Sequence, residues 1–241
     1  METSIIIRTK NEERWIGAVL DMLQRQTYKD FEIIIVDSGS TDKTLEIAEK
    51  YPTRIVHISQ EEFSYPHALN VGCREALAEK YFVFLSAHSV PVDDGFLKIG
   101  IKSFIEDKIA GVYGPIRTLP DGSIWEKIFF NIIFPFLRKS EPEIMIVKKP
   151  GIGVLGNTNA IIRKNLWENH NFNEAYGLGG EDQEWCSFWM RAGYAVVKNK
   201  KFVVMHSHGL GLLAFIKQWK NWANLAKPHP FEKVKYRKWN W

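Results

Sequence analysis

Residues 31–44 read FEIIIVDSGSTDKT, and this stretch decides how the rest of the chain is read. Its β-branched run lacks polar alternation, the mark of a strand buried on both faces in a parallel sheet. The run ends at Asp37 in the turn formers Ser38, Gly39 and Ser40, and 43–50 carries the spacing of a helix. The same unit recurs on either side. Residues 4–9 predict a strand, and 11–24 a helix with Asn11 as N-cap and Ile16, Val19, Leu20 and Leu23 on one face. A strand at 54–58, a helix at 65–78 and a strand at 81–85 follow. Such alternation builds a parallel sheet with right-handed crossovers.

In these sheets ligands bind beyond the carboxyl ends of the strands, where the strand order switches. Three strand ends carry polar residues there: Arg8-Thr9-Lys10-Asn11, Asp37-Ser38-Gly39-Ser40 and Ser86-Ala87-His88. The second half is less regular. A strand is expected at 109–113. The apolar segment 125–137, with Pro135 inside it, reads as a core helix, a lid or a helix lying in a membrane interface. Residues 151–163 lead from a glycine-rich loop into a strand, 176–186 form a glycine loop opening a helix, and 201–209 read as a strand ending in two histidines. No repeat or low-complexity linker interrupts the chain, so one domain is expected over 1–210, with a basic, aromatic helical extension over 211–241.

A chain of 241 residues, 45% of them hydrophobic, can bury a core without staples. Cys73 and Cys186 are too few for a disulfide framework and suit a reducing compartment. The start lacks the basic flank and long apolar stretch of a secretory signal, and no run approaches the roughly 18 apolar residues of a spanning helix. A cytoplasmic protein is expected. The net charge of +4 is unevenly placed. From Lys217 onward, lysines and Arg237 interleave with Trp219, Trp222, Phe231, Tyr236, Trp239 and Trp241. A docked helix with solvated lysines accounts for this pattern, and so does peripheral contact with the inner face of the cell membrane. Nucleic acid is not an expected partner.

Three groups of residues carry chemistry. Gly177, Gly179 and Gly180 let the backbone approach a ligand, and Glu181 and Asp182 follow in the first helical turn. The helix dipole alone favours acids there, but a rim position also suits a general base. His206 and His208, read on a strand, point to opposite faces, so one at most should face a pocket. If His88 converges with one of them, manganese or another transition ion becomes a candidate ligand. Asp37 can accept hydrogen bonds from a nucleobase or ribose. Neither a GxxxxGK[ST] loop nor a GxGxxG after the first strand is present, so a nucleotide is not held in those ways.

With these residues in place, the chain resembles the inverting family 2 glycosyltransferases over roughly residues 4–208. IIIRTKNE (5–12) is similar to that family's first strand and nucleotide loop, VDSGSTD (36–42) to its VDxGSxD motif, FSYPHALNVG (63–72) to its Asn-bearing helix, and GEDQEW (180–185) to its ED motif. The bacterial rhamnosyltransferase-like branch is nearest, through RTKNE and HSH. The resemblance implies a GT-A fold, Rossmann-like and α/β, with a mixed, mostly parallel sheet flanked by helices. It implies that Arg8, Thr9, Asn11, Asp37 and Ser38, with Asn70, Ser86 and Ala87, line a nucleotide pocket. Asp182 would be the base and Glu181 would hold the acceptor or the loop. A divalent ion, Mn2+ or Mg2+, would sit on His88 and a late histidine, His208 in preference to His206. The implied reaction is in-line attack of an acceptor hydroxyl on the anomeric carbon of a nucleotide-diphosphate sugar. The implied acceptor is a saccharide or lipid-linked saccharide, in surface polysaccharide or glycolipid assembly.

The departure is Ser86-Ala87-His88, where the family usually carries Asp-x-Asp. Losing two carboxylates should weaken magnesium binding and shift preference toward manganese. A catalytically weak sugar-nucleotide-binding protein that lost its metal motif is therefore the alternative, and the intact Glu181-Asp182 pair speaks against it. A nucleotidyltransferase would want a glycine-rich basic phosphate loop after the first strand, which is missing.

Overall fold

The structure, a computed structural model, describes residues 1–177 and 179–225. Regular βα alternation comes first: β1 (Thr3–Thr9), α1 (Ile16–Gln24), β2 (Phe31–Asp37), α2 (Thr44–Ala48), β3 (Thr53–His57), α3 (Tyr65–Glu75) and β4 (Tyr81–Ser86). Then follow β5 (Val90–Pro91), α4 (Phe96–Lys102), β6 (Ile109–Tyr113) and β7 (Ile116–Arg117). A continuous helical stretch comes next: α5 (Ile124–Ile128), a π turn (Phe129–Ile133) and α6 (Phe134–Leu137). The chain continues through β8 (Ile144–Val147), β9 (Asn159–Arg163), α7 (Lys164–Asn169), α8 (Glu181–Arg191), β10 (Ala195–Asn199), β11 (Val204–Met205) and α9 (Leu212–Leu225).

Eight strands form one sheet in the order β3-β2-β1-β4-β9-β6-β10-β8. β1 pairs in parallel with both β2 and β4, so the order reverses between β1 and β4. β9 runs antiparallel between β4 and β6, and β8 is an antiparallel edge on β10. The expected mixed, mostly parallel sheet is present, and period-two alternation divides its core in two. Ile5, Ile7, Ile33, Ile35, Val83 and Leu85 pack with α1 on one face. Ile6, Ile34, Val36, Phe82 and Phe84 pack with α3 and α8 on the other.

A second, three-stranded sheet in the order β5-β11-β7 stands beyond the carboxyl ends of the main strands. Val204 pairs with Pro91 and Met205 with Val90, antiparallel. β11 stops at Met205, so the strand predicted over 201–209 is shorter than expected and both histidines lie past its end. Strand alternation therefore does not govern His206 and His208. The first helix also departs from expectation: it starts at Ile16, capped by Trp15, and Asn11 lies at φ 54. Asn11 instead joins two loops. Its N–H donates to Ser40 Oγ at 2.9 Å and its Oδ1 accepts from Thr41 N–H at 2.8 Å. The left-handed turn is a conformation asparagine tolerates better than most residues.

The segment 125–137 is helical, and Pro135 explains its π turn, because proline offers no N–H to the ladder and clashes with the preceding turn. It packs against α9 through Phe129 and Phe215 rings 4.9 Å apart and Phe134 and Trp219 rings 5.3 Å apart. Of the predicted C-terminal extension, 226–241 lies outside the described residues, and with it Lys227, Lys233, Lys235, Arg237 and Lys238.

Candidate active site

The carboxyl ends of β1, β2 and β4 meet at the switch in strand order, and there buried polar atoms lack partners. Arg8 Nε and Nη1, Thr9 Oγ1, His88 Nε2 and Glu181 Oε2 are all buried without a hydrogen bond. Buried polar groups are nearly always paired, so such a concentration marks where a ligand belongs. The Arg8 guanidinium lies over the Tyr65 ring, 4.4 Å from its centroid. Its positive charge acts on both Asp182 and His206, which puts it within electrostatic reach of both chemical groups of the site.

Asp37 organises its own turn. One oxygen accepts from Gly39 N–H at 3.0 Å and Ser40 N–H at 3.1 Å, and the other from Ser40 Oγ at 2.5 Å. Ser38 closes onto β1, its N–H donating to Thr9 O at 3.1 Å. Asn70 differs from expectation. Its amide donates to Phe172 O and Glu174 Oε1 at 2.8 and 3.0 Å and accepts from Trp167 Nε1 and Phe172 N–H at 3.1 and 3.2 Å. An asparagine side chain has two donors and two acceptor positions, so none remains for a nucleotide. Asn70 instead pins α3 to the segment after α7. Ser86 and buried Ala87 supply backbone, with Ser86 O accepting from Ser89 N–H at 2.9 Å in the turn that lifts His88 off the sheet.

The register of β5 on β11 builds the next feature. Continuing the pairs Val204–Pro91 and Met205–Val90 sets His206 opposite Ser89 and brings the chain back over His88. His206 Nδ1 lies 3.0 Å from Ser89 Oγ, and the His206 ring stacks on His88 with centroids 4.4 Å apart. His208 packs edge-on against His88, 5.1 Å between centroids, and its N–H donates to buried Glu126 Oε1 at 2.9 Å. One nitrogen from each of His88, His206 and His208 falls within 4.8 Å of the others. Both late histidines thus face His88, correcting the expectation that one at most would do so. Burial first, then the neighbouring His88, His208 and Arg8 charges, holds His206 well below the usual histidine pKa. His88 Nδ1 meets Glu12 Oε1 at 2.8 Å. This donor set fits a divalent metal ion: nitrogens converge, and the buried His88 Nε2 has no other use.

α8 opens from the glycine loop. Gly177, Gly179 and Gly180 all have positive φ, and Gly180 at φ 99 is the N-cap, which makes glycine necessary there. Gly177 O accepts from Tyr65 N–H at 2.9 Å, tying the loop to the residue beneath Arg8. Asn157 Nδ2 donates to buried Glu181 Oε1 at 3.2 Å. Loss of hydration, then the adjacent Glu181 carboxylate, raises the pKa of Asp182; Gln183 and Asn157 backbone N–H groups and Arg8 oppose this. Glu12, Ser89, Asn157 and Tyr65 escaped the sequence reading. Glu12 sits inside the quoted RTKNE motif, but no spacing links it to a histidine 76 residues away.

A sheet reversing at β1/β4, with polar strand ends and a glycine-opened acidic helix facing it, defines a nucleotide-sugar transferase fold of the GT-A type. The model of glycosyl transferase family 2 matches residues 4–170, and the chain belongs to that family. It is 27% identical over 215 residues to the O-antigen chain rhamnosyltransferase RfbN of Salmonella typhimurium, covering 86% of this chain and 67% of that protein. It is also 27% identical over 230 residues to a protein of Methanococcus voltae, the dolichyl N-acetyl-alpha-D-glucosaminyl phosphate 3-beta-D-2,3-diacetamido-2,3-dideoxy-beta-D-glucuronosyltransferase, covering 89% of this chain and 70% of that protein. Among solved structures, the mannosyltransferase PcManGT from Pyrobaculum calidifontis, in complex with GDP-Man and Mn2+, superposes with a TM-score of 0.65. That match has 22% identity, covers 86% of this chain and 56% of the other, and supports the fold.

Proposed function

We propose that this chain transfers a sugar from a nucleotide-diphosphate donor to an acceptor hydroxyl with inversion, Asp182 acting as the base. The observation that carries this reading is the set of unpaired, buried polar atoms on Arg8, Thr9, His88 and Glu181, with the Arg8 charge felt at both Asp182 and His206. An unpaired buried guanidinium calls for an anion, and a diphosphate satisfies it with charge-assisted hydrogen bonds. Thr9, Asn11, Asp37 and Ser38 frame the nucleotide side, with the backbone of Ser86 and Ala87 closing it. Asp182 takes the proton of the attacking hydroxyl, and Glu181, fixed by Asn157, holds the acceptor or the loop. A divalent ion on His88 and His208 would stabilise charge developing on the leaving diphosphate.

Residues 1–210 would form the catalytic domain and 211–241 an extension. The acceptor would be a saccharide or lipid-linked saccharide, as the names of the Salmonella and Methanococcus relatives suggest by analogy. The exposed apolar residues of α6 and α9 support peripheral contact with a membrane. The alternative of a weak binding protein without a metal motif loses support, because three histidines supply donors where the carboxylates are missing. Incubation with a panel of nucleotide sugars and lipid-linked saccharides, following nucleoside diphosphate release, tests the reading. Acceptor-dependent release with one donor is expected; nucleotide binding without turnover on any donor would overturn it.

A further inference from the structure

We propose that His88, His206 and His208 together bind one divalent transition-metal ion of the zinc and cobalt class through three neutral imidazoles, and that the site discriminates against magnesium. Its role in sugar transfer rests on the function proposed above; the binding itself does not. No carboxylate belongs to the ligand set. Magnesium demands oxygen donors near octahedral geometry, whereas imidazole suits zinc, cobalt and their neighbours.

The geometry is close to what such an ion needs. His206 Nε2 and His208 Nε2 lie 3.2 Å apart. Two nitrogens bound tetrahedrally at about 2.0–2.1 Å stand about 3.3 Å apart. The outer nitrogens of His88 and His206 are already engaged, and that decides which of their nitrogens face inward. Glu12 Oε1 takes the Nδ1 proton of His88 at 2.8 Å, leaving Nε2 as the lone pair, and that Nε2 is buried without a partner. Ser89 Oγ engages His206 Nδ1 at 3.0 Å and leaves its Nε2 facing the cluster. Carboxylate or hydroxyl partners behind metal-ligating histidines are the usual device for fixing ring orientation and basicity.

The charge balance follows. Two carboxylates in Asp-x-Asp would cancel the charge of a divalent ion, but three imidazoles leave it whole within the ligand set, offset from outside it by Glu12 behind the first ring and Glu126 beside His208. With the Arg8 charge also felt at His206, the site presents a net positive face to a diphosphate. Histidine in place of the acids therefore does not disable the site. It changes which ion fills it and increases the charge the ion presents.

The test uses the full chain stripped with chelator. Cobalt(II) is titrated against its visible absorption, and zinc and magnesium are measured by calorimetry. Saturation at one cobalt per chain is expected, with displacement by zinc and none by millimolar magnesium. His208→Ala, at the exposed member, should weaken cobalt affinity at least 100-fold, and Glu12→Gln about 10–100-fold. Thermal unfolding of each metal-free variant guards against misfolding, and zinc should raise the Tm of the unaltered chain but not that of His208→Ala. Absence of cobalt binding, unchanged binding in His208→Ala, or magnesium binding as tight as zinc would overturn the proposal. Diphosphate release is followed in parallel. Turnover without metal binding sinks this inference and spares the transferase reading, and metal binding without turnover on any donor does the reverse.

Discussion

At the scale of single residues, Asp182 carries two opposed demands. Its carboxyl sits at the first turn of α8, where a dipole would favour the anion, yet burial and the neighbouring Glu181 push its pKa up. A base poised closer to neutrality than a free aspartate is what proton abstraction from a hydroxyl requires. Asp182→Asn should leave donor binding intact, measured by calorimetry, while lowering turnover by roughly 100- to 10,000-fold, the usual worth of a general base. Unchanged turnover would remove Asp182 from the mechanism. With Asp182 as the proposed base, the raised pKa should also set the acid limb of kcat against pH above the ordinary aspartate range, and a limb near pH 4 would contradict it. Linkage gives the matching stability effect. Because the folded-state pKa exceeds the unfolded one, the folded chain holds more protons between the two values, and stability falls as pH rises through that window. Asp182→Asn should therefore raise the Tm at pH 8 and leave it little changed at pH 3, where the carboxyl is protonated in both states.

At the scale of elements, α9 is held to the body by aromatic packing rather than by the sheet. Phe215 is 3% exposed and lies 4.9 Å from Phe129 and 5.8 Å from Phe130 between ring centroids. Phe215→Ala removes about 3–5 kcal/mol of packing at a typical buried site. The loss should appear as faster amide exchange over 212–225, with the strands of the main sheet still protected; uniform loss of protection would mean that α9 belongs to the global folding unit instead. This division explains which elements were legible in the sequence. β1, β2 and β4 are continuous apolar runs whose burial is dictated by composition, and they fall within a residue or two of expectation. The β5-β11-β7 sheet was not legible, because its strands are two residues each and exist only through their pairing. With it went the placing of His206, whose position follows from the register of β11 on β5 and not from strand periodicity. The acidic start of α8 at Glu181 and Asp182 was readable from the glycines before it. Glu12 and Ser89 were not, since their partners are 76 and 117 residues away.

At the scale of the whole molecule, apolar exposure is concentrated on α5, the π turn, α6 and α9. Ile132 is 63% exposed, Phe136 76%, Leu137 68% and Leu213 84%, a density that isolated surface residues do not reach. Lys217 and Lys220 are exposed on α9, and Arg138 and Lys139 are exposed in the turn that follows α6. Apolar side chains rimmed by bases match an anionic bilayer surface, where each lysine or arginine contributes about 1 kcal/mol. Glu126 connects this surface to the site. One of its oxygens caps α5 by accepting from Ser123 N–H at 2.9 Å, and the other accepts from His208 N–H at 2.9 Å. A lipid-linked acceptor delivered to these helices would arrive beside the histidine cluster. The protein should therefore float with vesicles rich in anionic lipid, bind them less as salt rises, and float poorly with zwitterionic vesicles. The double variant Phe136→Glu, Leu213→Glu should lose flotation while releasing diphosphate normally with a water-soluble acceptor. Equal flotation of variant and unaltered chain would show that these helices do not face the membrane.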